Sequence, residues 1–253
     1  MKKLMLVFLA FLAILASPSF AILGLGAHWA PSTHSIERNV DTLSIAPPEA
    51  GDVKFVQGHV SDMQGFGFKF WIDILPIIDV ETSLNFNFGR YSADLRLNPP
   101  NAPSQTIDVN PQFDFAGLEV PNYFQTNWDL SVNYPIADLI PMVTPYVGAG
   151  FSYFAGTPVA DKEFVTGIIE ANPSILDPTA EDFDPQALGE NLADQLVDGG
   201  FNSAVGGHAI LGVRIKPVIL PFAVYANTKY YFADLGPTIQ QGAAFELGGG
   251  IAF

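Results

Sequence analysis

The chain has 253 residues and a formal net charge of −15, and it combines 49% hydrophobic residues with only 15% charged ones. The acidic balance argues against nucleic acid as a partner, and the absence of cysteine excludes both a disulfide framework and a lipid anchor through cysteine. So much apolar surface in an acidic chain about one domain long must enter either a large β core or a lipid phase.

Residues 1–21 read as a secretory signal peptide. Lys2 and Lys3 precede an apolar stretch from Leu4 to Ala16, and the small residues Ser19 and Ala21 flank Phe20. The stretch is shorter than the roughly 20 residues a spanning helix needs. Cleavage after Ala21 leaves Ile22 as the mature N-terminus. Beyond it, every hydrophobic segment is interrupted before it reaches the length of a membrane helix.

Period-two alternation then dominates. In Val80–Phe88 one face carries Val80, Thr82, Leu84, Phe86 and Phe88, and the other Glu81, Ser83, Asn85 and Asn87. In Phe124–Tyr134, aromatic and aliphatic residues alternate with Gln125, Asn127, Asp129, Ser131 and Asn133. A helix would scatter both sets, whereas a strand keeps them apart. Similar segments give eight strands at 23–30, 64–73, 79–90, 122–134, 143–154, 203–215, 220–232 and 243–253. Most approach the roughly 9–11 residues with which a tilted strand crosses a bilayer.

Short connections at 74–78, 135–142 and 216–219 alternate with long ones at 31–63, 91–121, 155–202 and 233–242. The pattern predicts an all-β fold: an eight-stranded antiparallel up-and-down transmembrane β-barrel over 22–253, with short periplasmic turns and long extracellular loops. A secreted soluble barrel is the alternative, with its apolar residues pointing inward.

Tyr91, Tyr123, Tyr134, Tyr146, Tyr153, Tyr230 and Tyr231 lie near strand ends and are expected at the lipid headgroups. If the apolar face meets lipid, the lumen collects Lys69, Glu81, Asp129, His208, Arg214, Lys229 and Glu246. These charges must pair, because an eight-stranded barrel encloses little more than side chains. Inward glycines, among them Gly65, Gly67, Gly148, Gly150, Gly206, Gly212, Gly248 and Gly250, either leave a conduit or make room for neighbours such as Trp71 and Tyr225. On the apolar face, Arg at Leu84 or Phe86 is expected to impair assembly, and Arg at Asn85 to be far milder.

The segment 155–202 is the most acidic, with ten Asp and Glu against Lys162 alone. Within it Asp184 caps a helix that Pro185 opens and Gly199 and Gly200 end, with Leu188, Leu192 and Leu196 as its apolar stripe. No segment has the ordered spacing of a calcium loop, so no metal or other cofactor is expected. His28, His34, His59 and His208 are the candidate bases, and none lies in a nucleophile elbow or a Ser-His-acid pattern. The chain therefore reads as non-enzymatic.

The strand Ala243–Phe253 places Phe245, Leu247, Ile251 and the last residue Phe253 on one face, with Gly249 at one otherwise hydrophobic position. This resembles the terminal strand of bacterial outer-membrane proteins. Pro145–Tyr153 likewise resembles a strand of the OmpA and OmpX type of barrel, here the barrel domain alone. The resemblance implies recognition of the C-terminal strand and Phe253 by the barrel-assembly machinery. It also implies outer-membrane lipid and lipopolysaccharide as surroundings, and an extracellular ligand at the loops. The functional expectation is a structural or surface-interaction protein with a plugged polar lumen, and the alternative is a narrow pore for small or apolar solutes.

Overall fold

The computed structural model describes residues 23–252 apart from 37, 44–49, 61–62, 74–76, 101–102, 116–117, 137–141, 172, 178–179, 181–182, 218–219, 236–238 and 241. The expected signal peptide and Phe253 lie outside the described residues.

Alternating side chains set the architecture. In chain order the first strands are β1 (Leu23–Trp29), β2 (Ser35–Ile36), β3 (Asn39–Leu43), β4 (Asp52–Gln57), β5 (Gln64–Ile72) and β6 (Asp79–Gly89). Next come β7 (Ala93–Asn98), β8 (Gln105–Asp108), β9 (Phe113–Phe115), β10 (Leu118–Val120), β11 (Tyr123–Pro135) and β12 (Val143–Gly156). Helices α1 (Lys162–Ala171) and α2 (Pro185–Asp198) precede β13 (Asn202–Ile215), β14 (Phe222–Ala233), β15 (Ile239–Gln240) and β16 (Ala243–Ala252).

Strands β1, β5, β6, β11, β12, β13, β14 and β16 form a closed antiparallel barrel, each pairing with the next and β16 returning to β1. The closing seam runs from Gly24 opposite Ala252 to Trp29 opposite Leu247. These are the eight strands expected from the alternation, and no end moves by more than two residues. All the long connections leave from one end of the barrel and the short ones from the other.

Leu25, Phe68, Leu84, Trp128, Leu211 and Leu247 point outward and are exposed, while Lys69, Asp129, Lys229 and Glu246 are inside and no more than 1% exposed. That is the reverse of the soluble alternative. Tyrosines need a correction. Tyr134, Tyr153 and Tyr230 do face outward, but Tyr146 and Tyr231 are buried in the barrel, and Tyr91 and Tyr123 in the apolar core of the structure above it. Position near a strand end does not choose a face; the phase of the alternation does, as the adjacent Tyr230 and Tyr231 demonstrate.

The long connections are not plain loops. Segments 31–63 and 91–121 supply a four-stranded sheet in the order β3-β4-β7-β8. Its inner face carries Leu43, Val53, Phe55, Ala93, Leu95, Leu97 and Ile107, which pack with Val165 and Ile169 of α1 and Leu188, Leu192 and Leu196 of α2. These connections thus build a folded cap with its own apolar core. Helix α2 has the expected cap, with Asp184 Oδ1 accepting from the amides of Gln186 at 2.9 Å and Ala187 at 3.3 Å. Its marginal intrinsic stability is offset by burial of the leucine stripe. Helix α1 was not expected from the sequence; Asp161 Oδ1 accepts from the Phe164 amide at 2.8 Å at its start.

Candidate functional site

Inward phase gathers polar side chains from all the barrel strands except the glycine-rich parts of the wall, and they form three tiers. At the short-turn end, Arg214 of β13 reaches Asp73 Oδ1 at 2.7 Å, Asp79 Oδ2 at 3.3 Å and Glu81 Oε2 at 3.3 Å. Its guanidinium lies between the rings of Trp71, 5.2 Å away, and Tyr146, 5.5 Å away. Lys216 pairs with the other oxygen of Asp73.

In the middle tier Lys69 of β5 donates to Glu81 at 3.0 Å and forms an ion pair with Glu246 at 2.7 Å. Lys229 of β14 bonds Glu246 at 2.7 Å, Asp129 at 2.9 Å and Ser83 Oγ at 2.6 Å. Two ammonium groups and three carboxylates thus interlock, each charge facing partners of opposite sign. Lys69 also stands 4.7 Å from the centre of the Tyr225 ring. Above them Asp129 Oδ2 accepts from Tyr231 Oη at 3.0 Å and Asn127 Nδ2 at 3.0 Å.

Toward the cap, His208 bridges Ser131 at 2.7 Å on Nε2 and Ser152 at 2.7 Å on Nδ1. His28 holds Asn85 at 2.6 Å and Tyr225 at 3.1 Å. His34, from the segment after β1, dips into the barrel mouth against Phe154 and Tyr231 and meets Gln125 at 3.2 Å.

All seven residues singled out as lumen charges therefore lie inside and within one connected tier system. Sequence reasoning placed Ser83, Asn85, Asn127 and Ser131 on the polar face without assigning them partners. It did not place Asp73, Asp79, His28, His34, Tyr146 or Tyr231 in the interior. For His28, Asp73, Asp79, Tyr146 and Tyr231 the phase of the expected strands carried that signal, whereas His34 belongs to a connection, where no periodicity applies.

Several inward glycines lie under large side chains. A methyl group at Gly24 would overlap the Trp71 indole, at Gly67 the amide of Asn85, at Gly148 the amide of Asn133, and at Gly212 the Tyr146 ring. Trp71 and Tyr146 each lie over a glycine on an adjacent strand and Tyr225 over Gly26 two strands away, which is how a narrow barrel accommodates the three together.

The chain resembles small outer-membrane barrels. It is similar to the attachment invasion locus protein Ail of Yersinia pestis, solved with the heparin analogue sucrose octasulfate, at 11% identity and a TM-score of 0.40, covering 91% of this chain and 97% of that one. It is similar to the outer membrane protein OprG from Pseudomonas aeruginosa at 14% identity and a TM-score of 0.44, covering 91% and 95%. Neisserial surface protein A gives 14% identity and a TM-score of 0.40, covering 91% and 97%. No family model and no curated protein matches the chain. Identities this low leave function to be read from the chain's own residues.

Chemistry at His28, His34 and His208 is constrained by burial, whereas His59 is exposed. Both ring nitrogens of His208 are engaged, and the residue is 2% exposed. His59 faces the Ile36 carbonyl at 3.0 Å. Among the described residues no group of three or more His, Asp or Glu side chains has the geometry to hold a metal ion.

Proposed function

We propose that this protein is an integral outer-membrane barrel, exported by a cleaved signal peptide, whose polar lumen is packed shut and whose folded cap is an interaction head at the cell surface. The observation that carries the reading is the inversion of the barrel. Charged groups that water would solvate are buried and paired inside, while a belt of Leu, Phe, Trp and Val surrounds the outside. A protein dissolved in water gains nothing from that arrangement, and one dissolved in lipid requires it.

Polar atoms of Trp128, Thr82 and Thr126 support the same reading, because they are satisfied within the wall. Trp128 Nε1 donates to Thr82 Oγ1 at 2.7 Å, Thr82 Oγ1 donates to the Asp129 carbonyl at 2.8 Å, and Thr126 Oγ1 to the Asn85 carbonyl at 2.9 Å. Water is not needed at any of these groups. The role is structural and adhesive rather than catalytic: the interlocked ion pairs stiffen the wall, and the cap offers surface outside it.

The test combines two measurements on the refolded mature protein. Electrophoretic mobility that shifts on boiling, together with no single-channel conductance in a planar bilayer, is the expected result. Reproducible conductance would replace the packed lumen with a pore, and absence of the full chain, expressed in a Gram-negative cell, from the urea-washed outer-membrane fraction would overturn the location.

A further inference from the structure

Phe201 joins the cap to the barrel wall. It follows Gly199 and Gly200, where α2 ends and a φ of +72° at Gly200 redirects the chain, and it directly precedes β13. The residue is 60% exposed, although α2 beside it presents Asp194, Gln195 and Asp198 to solvent.

The ring is not isolated. It meets Phe124 edge-on at 6.3 Å, and Phe124 lies 5.2 Å from Phe88 and 6.4 Å from Phe86. Phe66 in turn stacks at 5.4 Å on Phe86 and at 6.2 Å on Phe88. A continuous run of phenylalanine therefore climbs the outer faces of β5, β6 and β11 and ends on a residue of the cap. Phe201 also has the odd-numbered phase of Val205 and Leu211, the outward residues of β13. Leaving such a ring in water forfeits the hydrophobic gain that its continuity with the belt makes available.

We propose that Phe201 is a lipid-inserted anchor that seats the C-terminal end of α2 on the membrane at the boundary of headgroups and acyl chains. This rests on the outer-membrane reading and adds to it that the cap is held down on the β11 side. The ring has no polar atom, so its depth is set by the belt it extends.

Because the sequence has no cysteine, single-cysteine variants of the full mature protein carry one nitroxide label each. Phe201→Cys, Leu84→Cys and Glu190→Cys are refolded into phosphatidylcholine vesicles, and label accessibility to oxygen is compared with accessibility to a water-soluble nickel chelate. Oxygen should dominate at 84 and, at shallower depth, at 201, and nickel at 190. Nickel dominance at 201 with oxygen dominance at 84 overturns the anchor alone, whereas nickel dominance at 84 overturns the membrane reading itself.

Since the cysteine removes the ring under test, Phe201→Trp supplies a second reading. Lipids brominated on their acyl chains should quench it beyond the wild-type level set by Trp29, Trp71 and Trp128. Added fluorescence quenched only by aqueous iodide overturns the proposal.

Discussion

Lys69 on β5 and Glu246 on β16 meet at 2.7 Å although β1 runs between their strands. The intervening strand presents Gly26, which is in register with both Lys69 and Gly250, so no side chain of β1 blocks the approach. Lys229 reaches the same carboxylate from the opposite flank at 2.7 Å. Glycine in one strand thus permits an ion pair between two others, and the space the glycine leaves is taken by Tyr225, whose hydroxyl lies 3.0 Å from where a methyl group on Gly26 would stand.

Replacing Lys229 with Met should be strongly destabilising, because Asp129 and Glu246 would both lose a buried partner. Breaking such a pair from one side costs about 3–5 kcal/mol. Lys54 and Asp52 pair at 3.0 Å on the cap surface with side chains 41% and 48% exposed, and Lys54→Met should change stability by less than about 1 kcal/mol. Urea midpoints of the boiling-sensitive mobility shift compare the two. Equal effects would mean that water reaches the interior.

The glycines offer a second contrast. A methyl group at Gly250 would run into the Leu25 carbonyl and lie 2.5 Å from Gly26 Cα, both backbone atoms that cannot swing aside. Gly207 faces outward, and its methyl group would meet only the Gly150 carbonyl at 3.3 Å. Gly250→Ala should cost about 1–3 kcal/mol or more through overpacking, while Gly207→Ala should stay near wild type. A conducting Gly250→Ala barrel of unchanged stability would contradict the packed interior.

On the outer face, Leu84→Arg should impair insertion by about 2–4 kcal/mol, a cation near the midplane being poorly solvated, and Leu84→Phe should be tolerated. Its neighbour Asn85 departs from what strand phase alone suggests. Phase makes Arg at this position mild, but Asn85 holds His28 at 2.6 Å and lies 3.3 Å from Glu246 and 3.4 Å from Asp129. An added cation would displace these bonds at a residue only 1% exposed, so Asn85→Arg should also lower the yield of heat-modifiable protein in vesicles. A normal yield would show slack in the middle tier.

Asn85 illustrates what was legible in the sequence. Alternation over Val80–Phe88 and Phe124–Tyr134 revealed strands, faces and closure, because period two is a local property. Whether an inward glycine marks a conduit or a socket depends on which strand lies beside it, and Trp71 over Gly24 is a contact across 47 positions of chain that no local pattern encodes. Alternation was equally present in Val53, Phe55 and in Ala93, Leu95, Leu97, but those strands are short and lie in connections that the barrel pattern marked as loops. The cap core was hidden for that reason. Helix α2 was visible because Asp184, Pro185 and Gly199 punctuate it, whereas α1 has Gly167 and β-branched residues in its interior and no basic residue in its last turn.

Tyr91 provides a pH test confined to the cap. Its hydroxyl accepts a hydrogen bond from the Ala160 amide at 3.1 Å, and burial pushes its pKa up to about 12, with that amide opposing the shift. An unfolded tyrosine titrates near 10. Between about pH 10 and 12 the unfolded cap releases a proton that the folded cap retains, so the folded state binds more protons and stability falls as pH rises. Two units correspond to about 2–3 kcal/mol by the upper end of that window. Tyr91→Phe should be less stable at neutral pH, because the Ala160 amide loses its acceptor at a cost of about 1–3 kcal/mol. It should nevertheless lose less stability than wild type on alkaline titration, all other titrating groups being shared. Hydrogen exchange of the cap amides, measured for both proteins from pH 8 to 12 and corrected for intrinsic rates, compares the slopes. Parallel slopes would place the Tyr91 hydroxyl in water and open the base of the cap core.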